Sequence, residues 1–304
     1  MTKMKKPKIT VIIPLGINSD FDFINNLDQQ TKDSIEIIKE IGSNTSKNRN
    51  NGIKKAKTEY VAFVNGHTIL SITWLKEVLR FFKDHPEVDI VGGPQLTLNR
   101  GNYFARASGY ALSSIFGSAI SSNRYKLGKL NLNSNEKEIT SANLICKRKV
   151  FEKVLFDEKI YPGEDPKFIT DVKENGFRVA YSPSILVYNK RRGNLLAFVK
   201  QIFYYGFMRP KTNNFLNLIK KVQFVVPSAF LVYLLSLPLL VSINTLFWVP
   251  LTLYLILSLL FSFLESIKNK DALAIILLPL LFFIIHISYG LGFILSAIIK
   301  VFKN

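Results

Sequence analysis

Two polar stretches of this 304-residue chain carry side chains that could do chemistry. The first is Asn65-Gly66-His67, which follows the apolar run Tyr60–Val64. Such a run predicts a strand buried on both faces, and polar residues after the carboxyl end of such a strand commonly line a ligand site. His67 is a candidate metal ligand there, and Gly66 would let a ligand approach the backbone. The alternative is an ordinary strand-to-helix turn.

The second stretch is Tyr161-Pro-Gly-Glu-Asp-Pro166, in which Glu164 and Asp165 place two carboxylates after a Pro-Gly turn. Apolar residues follow at helical spacing, so the pattern predicts a helix with Asp165 as its N-cap and Pro166 as its first residue. A carboxylate held at the mouth of a helix is also well placed to accept a proton. Asp165 is therefore a candidate general base as well as a cap.

Strands and helices alternate through the first half of the chain, which favours an α/β fold with a doubly wound, mostly parallel sheet. Strand ends at Pro14, Glu40, His67 and Gly92 would then share one edge and form a nucleotide-sized crevice. The predicted strands cover residues 8–16, 34–41, 60–64, 88–91, 139–145, 178–181 and 185–188, and the predicted helices include 21–30, 50–57 and a segment after residue 67.

The charge distribution separates two regions of different character. The net charge is +18, and almost all of it lies before Val222, where the chain becomes strongly apolar. A basic region next to an apolar one suits a phosphorylated substrate or an anionic membrane surface. A nucleic-acid partner is disfavoured because the basic residues are dispersed and no base-reading motif is present. The single cysteine, Cys146, fits a reducing compartment.

The apolar region predicts three transmembrane helices, at about residues 222–243, 246–264 and 272–299. Basic residues precede the first span and separate the second from the third, which predicts a multi-pass protein of the cell membrane with its polar domain in the cytoplasm. We therefore expect a cytoplasmic domain over residues 1–190, a basic, amphipathic interfacial segment over 191–221, and a membrane domain over 222–304.

These residues and their order resemble a membrane-attached family 2 glycosyltransferase of GT-A fold, similar to succinoglycan and other exopolysaccharide transferases. The resemblance runs almost from end to end. It is carried by Val11-Ile-Ile-Pro14, Asn48-Arg-Asn-Asn-Gly52, Phe63-Val-Asn-Gly-His-Thr68, Val91-Gly-Gly-Pro94, Leu112-Ser-Ser-Ile-Phe-Gly117, Tyr161-Pro-Gly-Glu-Asp165, Lys190-Arg-Arg192 and the stretches 201–209 and 286–292.

The resemblance implies an inverting hexosyltransferase with a UDP- or GDP-sugar as donor. Asp165 would be the general base, and Glu164 would orient it or contact the acceptor. With Asn65, His67 would help to hold Mg²⁺ or Mn²⁺ on the donor diphosphate, where a cation neutralises charge on the leaving group. The nucleobase and ribose pocket would be formed by Pro14, Glu40, Asn48 and Arg49.

On the acceptor side, the resemblance implies a lipid-linked saccharide and a role in surface polysaccharide or glycoconjugate synthesis. Arg191, Arg192 and Arg209 would bind the diphosphate or a lipid phosphate, and Gln201 would contact the acceptor. Two positions depart from the family pattern: Asn65 replaces the usual first Asp of the metal motif, and Asn189 stands where relatives often have His. The alternatives are a polyprenyl-phosphate hexosyltransferase and an inactive nucleotide-binding membrane subunit.

Overall fold

The computed structural model describes residues 7–17, 27–98, 101–160, 163–212 and 222–302. Most of the helix predicted at 21–30 lies outside these ranges. The chain divides into two compact units: Met1–Leu98 with Asn123–Lys190, and Asn99–Ser122 with Arg191–Asn304. The segment Asn99–Ser122, which the sequence assigns to the first domain, thus belongs to the second unit.

The first unit is built from strands and helices in alternation. Its strands are β1 (Ile9–Leu15), β2 (Ile35–Ile41), β3 (Tyr60–Val64), β4 (Thr68–Leu70), β5 (Ile90–Gly92), β6 (Gln95–Thr97), β7 (Asn143–Lys147), β8 (Val179–Tyr181) and β9 (Val187–Asn189). Its helices are α1 (Gln29–Asp33), α2 (Thr45–Lys55), α3 (Trp74–Asp84) and α6 (Glu164–Glu174), with a 3₁₀ turn at Arg148–Glu152.

The main sheet has six strands in the order β2-β1-β3-β7-β5-β8. β7 runs antiparallel to both of its neighbours and every other pair is parallel. The α/β class and the mixed sheet are thereby confirmed. Pro14 lies opposite Glu40, while Phe63 and Gly92 both lie opposite Leu144. The carboxyl ends of β1, β2, β3 and β5 therefore share one edge of the sheet.

Side chains alternate across the main sheet and fill a core on each face. On one face, Ile9, Val11 and Ile13 belong to the cluster that contains Trp74 and Val78 of α3. On the other face, Ile12, Val61 and Phe63 join Phe168, Ile169 and Val172 of α6. Both faces are covered, which explains why β1 and β3 read as continuous apolar runs.

A second, three-stranded sheet in the order β4-β9-β6 follows directly from the Asn65-Gly66-His67 turn. The turn is closed by Thr68 N–H, which donates to the carbonyl of Asn65 at 3.0 Å. β4 pairs antiparallel with β9, and β6 pairs parallel with it. Strand pairing in this small sheet thus holds Thr68, the residue after His67, next to the end of β3.

The second unit is helical, and three of its helices are long and apolar enough to cross a membrane. These spans are Phe224–Ile243, Thr245–Asn269 and Ala274–Lys300, with 20, 25 and 27 residues. The helices of this unit are α4 (Tyr103–Ser113), α5 (Ile115–Ser118), α7 (Leu195–Thr212), α8 (Val222–Ile243), α9 (Val249–Asn269) and α10 (Ala274–Phe302).

A histidine inside the third span joins helices of the second unit. His286 Nε2 lies 2.9 Å from the carbonyl oxygen of Phe116, and Nδ1 lies 2.9 Å from the hydroxyl of Tyr254. Because a carbonyl only accepts hydrogen bonds, Nε2 carries the proton and Nδ1 accepts from the tyrosine. Both nitrogens are thus engaged in contacts that fasten α10 to α9 and to α5.

Candidate active site

The acid pair lies at the start of α6, in a position that corrects the sequence-based one. Gly163 is the N-cap with φ of 118°, and the helix begins at Glu164, so Asp165 and Pro166 are its second and third residues. The prediction of Asp165 as N-cap was therefore wrong. Glycine adopts this left-handed backbone readily, and Glu164 Oε2 accepts from Gly163 N–H at 2.9 Å. Together these features let the helix start earlier than the Asp-Pro pattern indicates.

A single buried arginine joins the two carboxylates. Arg49 NH1 lies 2.7 Å from Glu164 Oε1 and 3.3 Å from Asp165 Oδ1, and NH2 donates to the hydroxyl of Ser141. The exposed fractions of the side chains are 3% for Arg49, 7% for Glu164 and 22% for Asp165. Asp165 Oδ2 also accepts from the backbone N–H of Ser141 at 3.2 Å. Of the three charged groups, Asp165 is thus the one that a substrate can reach.

This contact gives Arg49 a place that sequence reasoning did not foresee. The resemblance puts it in the nucleobase pocket, whereas the guanidinium lies on the acid pair and 5.1 Å from the centre of the Phe156 ring. The reason is the start of α2: Asn44 caps the helix by accepting from Lys47 N–H, so the helix begins at Thr45 rather than at the predicted residue 50. Arg49 is thereby turned toward α6.

Burial and the neighbouring carboxylate of Asp165 raise the pKa of Glu164 above its ordinary value, against the opposing effect of Arg49. Desolvation acts most strongly because the side chain is almost fully enclosed. Glu164 therefore holds its proton more tightly than an exposed glutamate would. This separates the roles of the two acids, since the buried one anchors Arg49 and the more exposed one remains accessible.

Three of the other residues predicted to bind the nucleotide-sugar donor lie together at the edge of β1 and β2. Pro14 and Glu40 are paired in register, and Asn48 Nδ2 donates to the carbonyls of Gly42 at 3.2 Å and Leu15 at 3.4 Å. Asn48 is buried and thus fastens the loop after β2 to the end of β1. The carboxylate of Glu40 accepts from Lys55 Nζ at 2.6 Å. These residues form one wall at the predicted edge.

The residues predicted to meet the acceptor or a phosphate lie in the second unit. Gln201 Nε2 donates to the hydroxyl of Tyr205 at 2.8 Å, one turn along α7. The guanidinium of Arg209 lies 4.1 Å from the centre of the Phe224 ring. Arg191 and Arg192 precede α7, and Arg192 is exposed. Their roles remain predictions.

The metal motif brings few ligands together. His67 is exposed, and its carbonyl accepts from Lys190 N–H at 3.3 Å. Within the described ranges, no group of three or more His, Cys, Asp or Glu side chains could hold a metal ion. Mg²⁺ and Mn²⁺ prefer carboxylate oxygens, whereas this turn offers one imidazole and the neutral amide of Asn65. The donor set does not fit a resident divalent cation, and no catalytic step is assigned to one.

A carboxylate in place of Asn65 should increase the affinity of this turn for a divalent cation. We expect Asn65→Asp to lower the Mn²⁺ concentration needed for half-maximal nucleotide binding by about tenfold, because an anionic ligand replaces an amide. The measurement is a thermal-shift titration of nucleotide with Mn²⁺. His67→Ala in the Asn65→Asp background should remove the gain. Asn133→Asp, at an exposed position of the same unit, controls for added charge; an equal effect there would contradict the assignment.

Sequence reasoning missed Ser141, whose hydroxyl and backbone N–H contact Arg49 and Asp165. The sequence pattern predicts a strand over residues 139–145, which would hide Ser141 within a sheet. The strand begins only at Asn143. The polar run Thr140-Ser141-Ala142-Asn143 was the available signal, since small polar residues favour turns over strands. Because Asn143 lies opposite Val64, Ser141 lies near the same sheet edge as Asn65 and His67.

Comparison with known families agrees with this geometry. A family model described as "Glycosyl transferase family group 2" matches residues 60–295, most of the chain. The chain belongs to this family of glycosyltransferases. The mixed sheet of the first unit is accordingly a GT-A fold, and the resemblance stated from the sequence is confirmed. The matched region includes the turn after β3, the acid pair, the first two apolar helices and most of the third.

More distant similarities are found to individual proteins. The pre-mycofactocin glycosyltransferase of Mycobacterium tuberculosis is 28% identical over 160 residues, which cover 52% of this chain and 32% of the relative. The match thus spans about a third of the length of that relative.

Two solved structures show weaker similarity. S. aureus TarS is 16% identical with a TM-score of 0.43, covering 66% of this chain and 39% of TarS. The mannosyltransferase PcManGT from Pyrobaculum calidifontis, in complex with GDP-Man and Mn²⁺, is 13% identical with a TM-score of 0.41, covering 66% of this chain and 63% of PcManGT. Similarity at this level carries no information on donor or acceptor.

Proposed function

We propose that this family 2 glycosyltransferase is an inverting hexosyltransferase that moves a sugar from a UDP- or GDP-sugar to a lipid-linked saccharide. The observation that carries the proposal is Asp165, which is held by Arg49 and the Ser141 N–H near the edge where β1, β2 and β3 end. The family shows glycosyl transfer. The acceptor, the inversion and the hexosyl group are the proposed part.

In the proposed reaction Asp165 accepts the proton of the acceptor hydroxyl as its oxygen attacks the anomeric carbon. The bond between that carbon and the diphosphate oxygen breaks, and the nucleoside diphosphate leaves with the electron pair. Attack from the side opposite the leaving group inverts the configuration. Arg49 and the Ser141 N–H hold the carboxylate of Asp165 in one orientation, which a general base requires. Glu164 supports this arrangement by anchoring Arg49.

The proposal of a lipid-linked acceptor is supported by the second unit. Its three apolar helices are long enough to span the bilayer. Lys268 and Lys270 lie at the end of the second span, so the positive-inside rule favours a multi-pass protein of the cell membrane with the GT-A unit on the cytoplasmic side. Arg191, Arg192 and Arg209 would then contact a diphosphate or a lipid phosphate, and Gln201 the acceptor. Surface polysaccharide or glycoconjugate assembly is the proposed setting.

The test is a donor panel on the full chain, purified in detergent or nanodiscs. We expect one UDP- or GDP-sugar to raise the unfolding temperature and to release nucleoside diphosphate when a lipid-linked saccharide is present. Each donor is measured with Mn²⁺, Mg²⁺ or EDTA, so any metal requirement is read in the same experiment. Binding of no nucleotide sugar by folded protein would overturn the proposal in favour of an inactive subunit. Transfer to polyprenyl phosphate alone would replace the proposed acceptor.

A further inference from the structure

A set of buried, hydrogen-bonded polar side chains crosses the three-stranded sheet, and the proposed reaction gives these side chains no role. Thr68, Gln95 and Asn189 are 0%, 5% and 3% exposed. Thr68 lies directly opposite Asn189, and Gln95 lies opposite Val187, two residues before Asn189. Because side chains alternate along a strand, these three polar groups share one face of the small sheet. Apolar side chains at these three positions would avoid the free-energy cost of removing polar groups from water.

The three side chains form a continuous, directed set of hydrogen bonds. Thr68 Oγ1 donates to Asn189 Oδ1 at 2.7 Å, and Asn189 Nδ2 donates to Gln95 Oε1 at 2.8 Å. Gln95 Nε2 in turn donates to Thr140 Oγ1. Position 189 therefore needs a side chain that accepts from one neighbour and donates to the next, which an amide does and a carboxylate cannot.

The two ends of this hydrogen-bonded set lie next to two parts of the candidate active site, the Asn65-Gly66-His67 turn and the segment that contacts Asp165. Thr68 follows His67 directly, at the end of the turn after β3. Thr140 precedes Ser141, whose N–H donates to Asp165 Oδ2. Thr140 Oγ1 also accepts from Ala142 N–H at 3.3 Å, so the hydroxyl holds the backbone around Ser141. The hydrogen bonds thus lead from the Asn65-Gly66-His67 turn to the segment that orients the proposed base, Asp165.

We propose that Thr68, Gln95 and Asn189 are positioning residues, which form a relay that fixes the Thr140–Ser141 segment and thereby orients Asp165. This inference rests on the proposed function, because it assigns the relay a role in that reaction. None of the three side chains contacts the reacting atoms. A fully satisfied buried network restricts its ends to one arrangement, and a base misplaced by about 1 Å costs on the order of 10² in rate.

The decisive variant is Thr68→Val, which removes the first donor at nearly constant volume. Thr68→Ser restores the hydroxyl and serves as the rescue. Thr10→Val is the control: Thr10 is 0% exposed, and its hydroxyl donates to Glu36 Oε2 at 2.5 Å and lies 2.7 Å from the hydroxyl of Thr58, near the end of β1 that is far from the site. Both valine variants lose one buried hydroxyl donor, and Thr10→Val should lose at least as much stability because its acceptor is a carboxylate, but only Thr68 belongs to the relay.

The first readout is hydrogen exchange of the full-length protein in detergent, which needs no substrate. In Thr68→Val we expect amides 141–143 to exchange about fivefold to tenfold faster, because their hydrogen-bond acceptors on Thr140 and Asp165 are no longer held. In Thr10→Val and Thr68→Ser these amides should exchange at the wild-type rate. Unchanged exchange in Thr68→Val would overturn the relay.

The second readout is turnover with the donor found in the panel. We expect kcat of Thr68→Val to fall at least about tenfold with the KM for nucleotide sugar nearly constant, because base alignment rather than donor binding is lost. Thr10→Val should keep wild-type kcat. Faster exchange with unchanged kcat would overturn the positioning role. A wild-type protein that transfers from no donor would overturn the proposed function instead, while hydrogen exchange still decides whether the relay exists.

Discussion

Asp165→Asn is expected to lower kcat by about 10²–10⁴ while leaving the affinity for nucleotide sugar nearly unchanged. The amide cannot take the proton of an attacking hydroxyl. Its carbonyl oxygen can still accept from Ser141 N–H, which Asp165 does at 3.2 Å, so the fold should persist. Steady-state release of nucleoside diphosphate gives kcat, and ligand-induced thermal shift gives donor affinity.

The matched control for this experiment is Asp171→Asn on the same helix. Asp171 forms an ion pair with Lys167 Nζ at 2.6 Å, away from Arg49 and Ser141, and its substitution should leave kcat unchanged. Equal activity of Asp165→Asn and wild type would contradict the assignment of Asp165 as base. It would also favour a phosphate acceptor, because a phosphate oxygen is already ionised and needs no base.

Arg49→Met is expected to lower the free energy of unfolding of the first unit by about 3–5 kcal/mol. The substitution removes the only ion-pair partner found for Glu164 among the described residues, and leaves a buried carboxylate beside the carboxylate of Asp165. Adding Glu164→Gln to Arg49→Met should restore part of the loss, since no buried charge then remains unpaired. Arg80→Met controls for loss of charge, because its ion pair with Asp84 is exposed; about 0.5 kcal/mol or less is expected.

The measurement can be restricted to the first unit by tryptophan fluorescence. The chain has two tryptophans, Trp74 in the core of the GT-A unit and Trp248 near the start of the second apolar span. In a Trp248→Phe background, Trp74 alone reports denaturant unfolding. If Arg49→Met lowers the free energy of unfolding no more than Arg80→Met does, the buried ion pair does not contribute to stability.

The loss in Arg49→Met should depend on pH in a defined direction. The pKa of Glu164 is already raised in the folded state, and without Arg49 it should rise further. A group with a raised folded-state pKa stabilises the fold at low pH, where it is protonated, and this contribution is lost as pH rises through the folded-state pKa. Arg49→Met should therefore be closer to wild type in stability at pH 5.5 than at pH 8.

Local sequence pattern accounts for the fold class, the family and part of the secondary structure of this protein. The apolar run at Tyr60–Val64 predicted β3 with its observed bounds, and three apolar spans predicted the three long helices. Alternating strands and helices indicated the α/β class, and the ordered motifs indicated the family. These features follow from composition and periodicity over a few to about 20 residues, which a sequence displays directly.

The assembly of the candidate site, in contrast, depends on tertiary contacts between distant parts of the chain. Arg49 and Glu164 are 115 residues apart in sequence, and Thr68 and Asn189 are 121 apart. Their contacts depend on strand register, on the reversed direction of β7 and on where α2 and α6 begin. A shift of one residue in any of these would turn the side chains away. The resemblance made Arg49 a predicted nucleotide ligand and Asn189 a departure that weakens the metal site. Tertiary packing places Arg49 against the acid pair and Asn189 in a buried hydrogen-bond network.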